Sequence, residues 1–277
     1  MLVAAFFFAM MGVLVKIASI KFSSAELVFY RSLFGLVFIF AYVKIQKLSI
    51  KTPYLRKQMS RSIIGFISMV MFFYAIGQLP LATSITLNYT SPLAMAAILT
   101  FALKEKPRKI LIIALIIGFI GVTLLLKPSI HQGELLAGGL GLLSGLLAGL
   151  VYVHVTQLGR FGEPDWRTVF YFSLVCTIGG GAWMLIHHFN VVTWQDAPIL
   201  IGLGLFATIA QLAMTRAYRT GNPLVVGSLA YSTVVLASLF GVFIWNETLS
   251  FDRWMAIILI ISSGVMSVIA NTKKLKN

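Results

Sequence analysis

Ten long apolar runs, separated by short breaks of charged, proline and turn residues, dominate this sequence. A helix that crosses the hydrocarbon core of a bilayer needs about 20 mainly apolar residues. Cutting at the breaks places runs at 2–20, 25–46, 62–79, 81–103, 108–126, 134–157, 167–187, 197–218, 222–246 and 251–270. We therefore expect an all-α integral membrane protein with ten transmembrane helices. A closed β-barrel also spans lipid, but its strands alternate apolar and polar residues in runs of about ten, and Ile110 to Leu126 shows no such alternation. The first run is read as a span and not a secretory leader, since it lacks a basic n-region and carries Lys16 near its far end.

Composition agrees: 59% hydrophobic and 11% charged residues lie far from the roughly 45–50% and 25% of soluble domains. A formal charge of +14 would fit nucleic acid if it were clustered on a soluble face, but these cations sit in the breaks between apolar runs. No nucleic-acid partner is expected; the expected partners are the bilayer and a small-molecule substrate. The single cysteine, Cys176, excludes a disulfide framework, and His131, His154, His187 and His188 have no metal-ligand spacing. No metal, cofactor or catalytic residue is expected, and no phosphate-binding loop for ATP is present.

Orientation follows from lysine and arginine, which favour the cytoplasmic side of short loops. With ten spans, 17 of them fall on one side and Lys21, Lys127 and Arg253 on the other, with Lys16 and Arg31 inside spans. This bias predicts that both termini are cytoplasmic.

The halves look duplicated. A shift of 142 lays Tyr89 on Tyr231, Ala75 on Ala217 and Glu105 on Glu247, and a shift of 143 lays Gly121-Val122 on Gly264-Val265. The expected domains are 1–128 and 129–277, each a five-helix repeat. Five is odd, so the second repeat must enter the membrane inverted, an arrangement that points to alternating access around a midplane site.

On Tyr89-Thr90-Ser91-Pro92-Leu93 with Lys104-Glu105, and on Gln211-Leu212-Ala213-Met214-Thr215-Arg216-Ala217-Tyr218-Arg219, the chain resembles the EamA type of the drug/metabolite transporter superfamily. The resemblance covers nearly the whole chain. It departs at Ala9-Met10-Met11-Gly12, where many members carry a tryptophan-glycine pair, and at Val234, which stands where the first repeat has Pro92. It implies a secondary transporter of small organic metabolites in a bacterial inner membrane, working as an exporter, with amino acids or related compounds as the leading substrates. The rival classes are a membrane-embedded enzyme, against which the scarcity of acids argues, and a channel or structural subunit, which the repeat leaves open.

Polar residues inside spans are the candidates for this work, because a charge at the bilayer centre costs about 2.5–3.5 kcal/mol even on lenient scales. Lys16 and Arg31 could offer cations to a substrate carboxylate. Against this, Lys16 could snorkel to the interface and Arg31 could brace Glu26. Glu26 and His154 are the titratable candidates for proton coupling. Span 4 aligns Ser84, Asn88 and Ser91 on one face, and Pro92 frees the Asn88 carbonyl from its helical bond. Such a group either meets substrate or bonds a neighbouring helix. Tyr74, Tyr89, Tyr152, His154, Gln211 and Tyr231 complete the expected substrate-binding set, with Thr208 and Thr215 on the face of Gln211. Gly141, Gly145 and Gly149 form two small-xxx-small steps, expected to pack closely on a neighbour.

Overall fold

The computed structural model describes residues 1–130, 133–187 and 189–275; Lys276 of the basic tail, His131 and His188 lie outside them. The chain folds into helices α1 (Leu2–Ala18), α2 (Ser24–Ile45), α3 (Leu55–Gln78), α4 (Leu81–Asn88), α5 (Ser91–Ala97), α6 (Lys109–Leu126), α7 (Leu135–Arg160), α8 (Asp165–Ile186), α9 (Ala197–Thr220), α10 (Pro223–Ala230), α11 (Ser232–Trp245) and α12 (Phe251–Leu275), with a π-helical turn at Ile98–Ala102 after α5. Nine segments, counting Leu81–Ala102 and Pro223–Trp245 as single spans, are long and apolar enough to cross a membrane among the described residues. The apolar α1 has 17 residues, the short end of the spanning range.

The outer faces are what lipid requires. On α6, Ile113, Ile116, Ile120 and Leu124 are exposed at helical spacing, while Leu111, Leu115, Val122 and Leu125 are buried on the opposite side. In water such stripes would form one large sticky patch; against acyl chains they cost nothing.

The fourth and ninth spans are both interrupted, at the same place in each half. The break is expected in the fourth span, where Pro92 sits at the start of α5 and has no N–H for the Asn88 carbonyl. The ninth span breaks at Tyr231 without a proline. A shared device explains both: the hydroxyl after each tyrosine turns back on the carbonyl three residues earlier, Thr90 Oγ1 donating to Leu87 O at 2.7 Å and Ser232 Oγ to Leu229 O at 2.5 Å. Such back-bonding competes with the helical ladder. The correspondence at a shift of 142 continues beyond the break. Lys104 and Asn246 both take a left-handed backbone, φ +54° and +53°, and the next residues, Glu105 and Glu247, donate N–H to Leu99 O and Gly241 O.

Packing is symmetric under exchange of the halves. α1 packs on α9 and α3 on α7; α1 on α11 and α5 on α7; α2 on α9 and α3 on α8; α2 meets α8 and α6 meets α12. Most of the core is therefore an interface between halves.

Contacts between helix ends sort into two layers. One holds Lys16–Glu247 at 2.9 Å, Lys127–Asp252 at 2.5 Å and Lys21–Asp196, where bonds from Lys21 and Thr193 hold the Asp196 carboxyl down at about 2. The other holds Arg160–Glu105 at 2.8 Å, Arg219–Asp165 at 3.6 Å and Arg167–Glu163 at 3.1 Å; we call it the basic face. Arg167–Glu163 is a local i,i+4 pair at the start of α8; each of the other five joins helix ends that a ten-span path puts on one side.

α3 differs from expectation. It begins two turns before the expected span, so Arg56, Lys57 and Arg61, read above as loop charges, are helical. Its buried residues Gln58, Arg61, Ser62, Gly65 and Ser68 recur at helical spacing, so the charge that marked a loop belongs to a buried polar stripe.

Candidate functional site

Four tyrosines from four spans gather between the halves. Tyr89 and Tyr231, at the two helix breaks, face each other with ring centroids 6.0 Å apart, and Tyr152 of α7 stacks on Tyr218 of α9 at 4.7 Å and 12°. The Tyr89 hydroxyl lies beside Thr233, and that of Tyr152 beside Ser91. The hydroxyls of Tyr218, Tyr231 and Thr215 are buried without a partner among the described residues. Tyr89 and Tyr152 keep part of their surface, whereas Tyr218 and Tyr231 are fully buried. An orphaned buried hydroxyl costs about 1–3 kcal/mol, so three together mark a place where a polar visitor gains what the protein forgoes.

The glycines of α7 make this closeness possible. A Cβ at Gly149 would sit 2.7 Å from Ser91 O and 2.8 Å from Met95 N; one at Gly145 would meet Leu87 O at 2.5 Å and Asn88 O at 3.2 Å. α7 thus presses its backbone onto the break between α4 and α5.

Asn88 closes α4 and donates Nδ2–H to Ser144 Oγ at 3.2 Å, while Ser144 Oγ donates to Gly141 O at 2.6 Å and its carbonyl accepts from Ser68 Oγ at 2.8 Å. Its side chain joins helices here, and it remains half-buried beside the tyrosines. Gln211 is 7% exposed on the buried face of α9 with Thr208 and Thr215. His154 lines a cavity of about 180 Å³ at the basic face, with Arg56, Lys57, Ser60 and Gln157. Tyr74 is 44% exposed on α3 and shares no ring contact with the central group among the described residues.

The charged candidates separate. Lys16 lies 3.9 Å over the Trp245 ring and pairs with Glu247, its side chain 53% exposed, so it belongs to the layer of helix-end contacts opposite the basic face. Glu26 is fully buried but already used: it accepts from Ser23 N at 2.8 Å and from Asn190 N and Nδ2 at 2.5 and 2.8 Å, capping α2 and tying down the chain before α9. It does not brace Arg31. Among the described residues, the contact of the Arg31 guanidinium is the Met11 thioether, 4.0 Å from Nη1. Arg31 therefore sits about 10 Å into α2, from seven residues at 1.5 Å each, with a half-buried charge and no counter-ion among the described residues. Sequence reasoning missed Arg61 and Tyr218. The small and polar stripe of α3 carried the signal for the first; for the second it was the continuation of Thr208, Gln211 and Thr215 by one more turn.

Two interlocked halves, a buried polar group at their seam and lipid-exposed flanks define a membrane transport protein. The chain belongs to the EamA-like transporter family, which matches residues 1–127 and again 135–269. It is 27% identical over 279 residues to an uncharacterized transporter of Helicobacter pylori strain J99, covering 97% of this chain and 93% of that protein. It is 26% identical over 267 residues to the pseudopaline exporter CntI of Pseudomonas aeruginosa strain UCBPP-PA14, covering 96% and 91%. A riboflavin transporter of Brucella anthropi is more distant, 21% identical over 221 residues and 78% of each chain. A solved crystal structure superposes with a TM-score of 0.85 over 99% of this chain and 96% of that one, at 16% identity, which establishes shared fold.

Proposed function

We propose that this protein is a secondary exporter of small, carboxylate-bearing metabolites, with amino acids or related compounds as the leading class. The observation that carries the reading is Arg31, a half-buried guanidinium on α2 with no acid beside it among the described residues; charge-assisted bonds to a carboxylate are the strong way to satisfy it. Tyr89, Tyr152 and Tyr231, with Tyr218, Asn88 and Gln211, supply neutral donors and apolar ring faces for the rest of the molecule. The exporter name of the Pseudomonas relative supports the direction. Duplicated halves that interlock symmetrically support inverted repeats, 1–128 and 129–277, rocking around this group in alternating access.

Transport by exchange is tested by counterflow in proteoliposomes. Vesicles loaded with an unlabelled candidate amino acid should take up the labelled compound transiently above equilibrium. A channel gives no such overshoot, and its absence for every candidate class would set the exporter reading aside.

The bias of Lys and Arg supports an inner-membrane protein with the basic face in the cytoplasm. Alkaline phosphatase fused after Asn277 is expected to be inactive, and the same enzyme inserted in the loop before α9, near Val192, active. The reverse pattern would invert the whole assignment.

A further inference from the structure

Arg31 is not the sole buried cation on the path. Arg61 lies about 9 Å into α3 from the basic face, six residues at 1.5 Å each. It is 1% exposed, its guanidinium rests 4.2 Å over the Phe172 ring, and its Nε and Nη1 have no partner among the described residues. A buried charge left this way is costly unless something pairs with it. The acids of the basic face are occupied: Glu163 accepts from Thr52 Oγ1 at 2.8 Å and Gln58 Nε2 at 2.9 Å and pairs with Arg167, Glu105 pairs with Arg160, and Asp165 pairs with Arg219.

The cavity of about 180 Å³ at the basic face is lined by Arg56, Lys57, Ser60, His154 and Gln157, the first three on the stretch of α3 that immediately precedes Arg61. Its lining holds cations and neutral donors and no carboxylate. His154, whose Nδ1 is also buried without a partner, is within the electrostatic reach of Arg61 and Lys57. On the membrane side, the Phe172 ring under Arg61 lies one helical turn before Cys176 on α8, and a Cβ at Gly65, one turn on from Arg61, would meet Phe172 at 3.0 Å and Val151, the neighbour of Tyr152, at 3.6 Å. Cys176 is midway along α8, between Ser173, which a Cβ at Gly35 of α2 would meet at 3.6 Å, and Gly180, where a Cβ would meet Phe29 of α2 at 3.5 Å, so it lies level with the turn of α2 that carries Arg31. The two guanidiniums thus flank one point at mid-depth, Arg61 towards the basic face and Arg31 towards the other.

We propose that Arg61 is the inner station of an anion path: a carboxylate of the cargo enters the basic cavity, pairs with Arg61, and passes Tyr152 and Cys176 to Arg31. This rests on the transport reading above and narrows its cargo to organic anions and zwitterions, excluding cations. One guanidinium per access side gives the carboxylate a partner in each state, so neither must hold it tightly enough to block release.

The test uses thiol reagents of opposite charge, 2-carboxyethyl and 2-(trimethylammonium)ethyl methanethiosulfonate, each rate normalised to that with free cysteine. In a Cys176→Ser background, His154→Cys reports the potential of the cavity beside Arg61. The carboxylate reagent should react at least about tenfold faster than the cationic one, the scale expected for a unit charge at close range in a partly buried site. Arg61→Gln should remove most of that preference and Arg61→Lys retain it. An unchanged preference in Arg61→Gln, or equal loss in the lysine variant, would overturn the inference. A second measurement uses native Cys176 in the otherwise unaltered protein. It should show the same anion preference, lowered by Arg31→Gln as by Arg61→Gln. Equal rates for the two reagents, or no reaction until the protein is unfolded in detergent, would mean that no anion path joins the two arginines. Thiol rates do not depend on which metabolite is carried, so their failure and the failure of counterflow are separate results.

Discussion

Gly145→Leu is expected to abolish the folded protein. Gly145 sits where α7 crosses the break between α4 and α5, and a Cβ there would meet Thr90 Oγ1, Leu87 O at 2.5 Å and Asn88 O at 3.2 Å. Two of these are backbone atoms, which no rotamer change can move. Leucine would have to lift α7 off the fourth span, separating Asn88 from Ser144 and Tyr152 from Ser91 along with it. Overpacking usually costs about 1–3 kcal/mol, and this site belongs at or above the upper end because rigid backbone supplies the obstruction. Gly139 offers the control: it lies on the same helix, and a Cβ there meets nothing within 4 Å. Gly139→Leu should give normal yield and a single sharp peak in detergent size-exclusion chromatography, whereas Gly145→Leu should aggregate. Comparable peaks from both variants would mean that α7 does not seat against the break as closely as described.

That contrast shows where the sequence was legible. Spans are written in long-range hydropathy, which needs no partner to be read, so ten apolar runs map onto the observed helices. The glycine stripe was equally readable, since small residues at intervals of four have few uses in a membrane other than close approach. Charge was the poorer guide. Arg61 carries the mark of a loop residue, and the cue that it is buried, the spacing of Gln58, Arg61, Ser62, Gly65 and Ser68, is a weak amphipathic signal. Lys16 and Arg31 look alike in sequence, two cations in apolar helices, yet among the described residues one reaches Glu247 and the other reaches no acid. That difference is set by the seam between halves, where residues some 230 positions apart meet. The break in the ninth span was hidden for a related reason. Proline announces itself, whereas Ser232 breaks the helix through a hydrogen bond that many buried serines make without any break.

Arg31→Met should lower transport of a carboxylate substrate while sparing its amide. The physical basis is the absence of a competing partner: Glu26 is held by Ser23 and Asn190, and the Arg31 guanidinium touches the Met11 thioether at 4.0 Å. A charge-assisted hydrogen bond is worth about 1.5–3 kcal/mol, so losing it should reduce the apparent affinity for the acid by roughly 10- to 150-fold. The amide never made the full ionic contact and should change by about threefold or less on the same scale. Arg31→Lys keeps the charge but loses the planar fork, and should fall between wild type and methionine. Counterflow run with an acid and its amide in all three proteins measures these ratios. Methionine and lysine variants that lose acid and amide alike would make Arg31 a strut for α2, because a strut has no way to sense which of the two molecules is being carried.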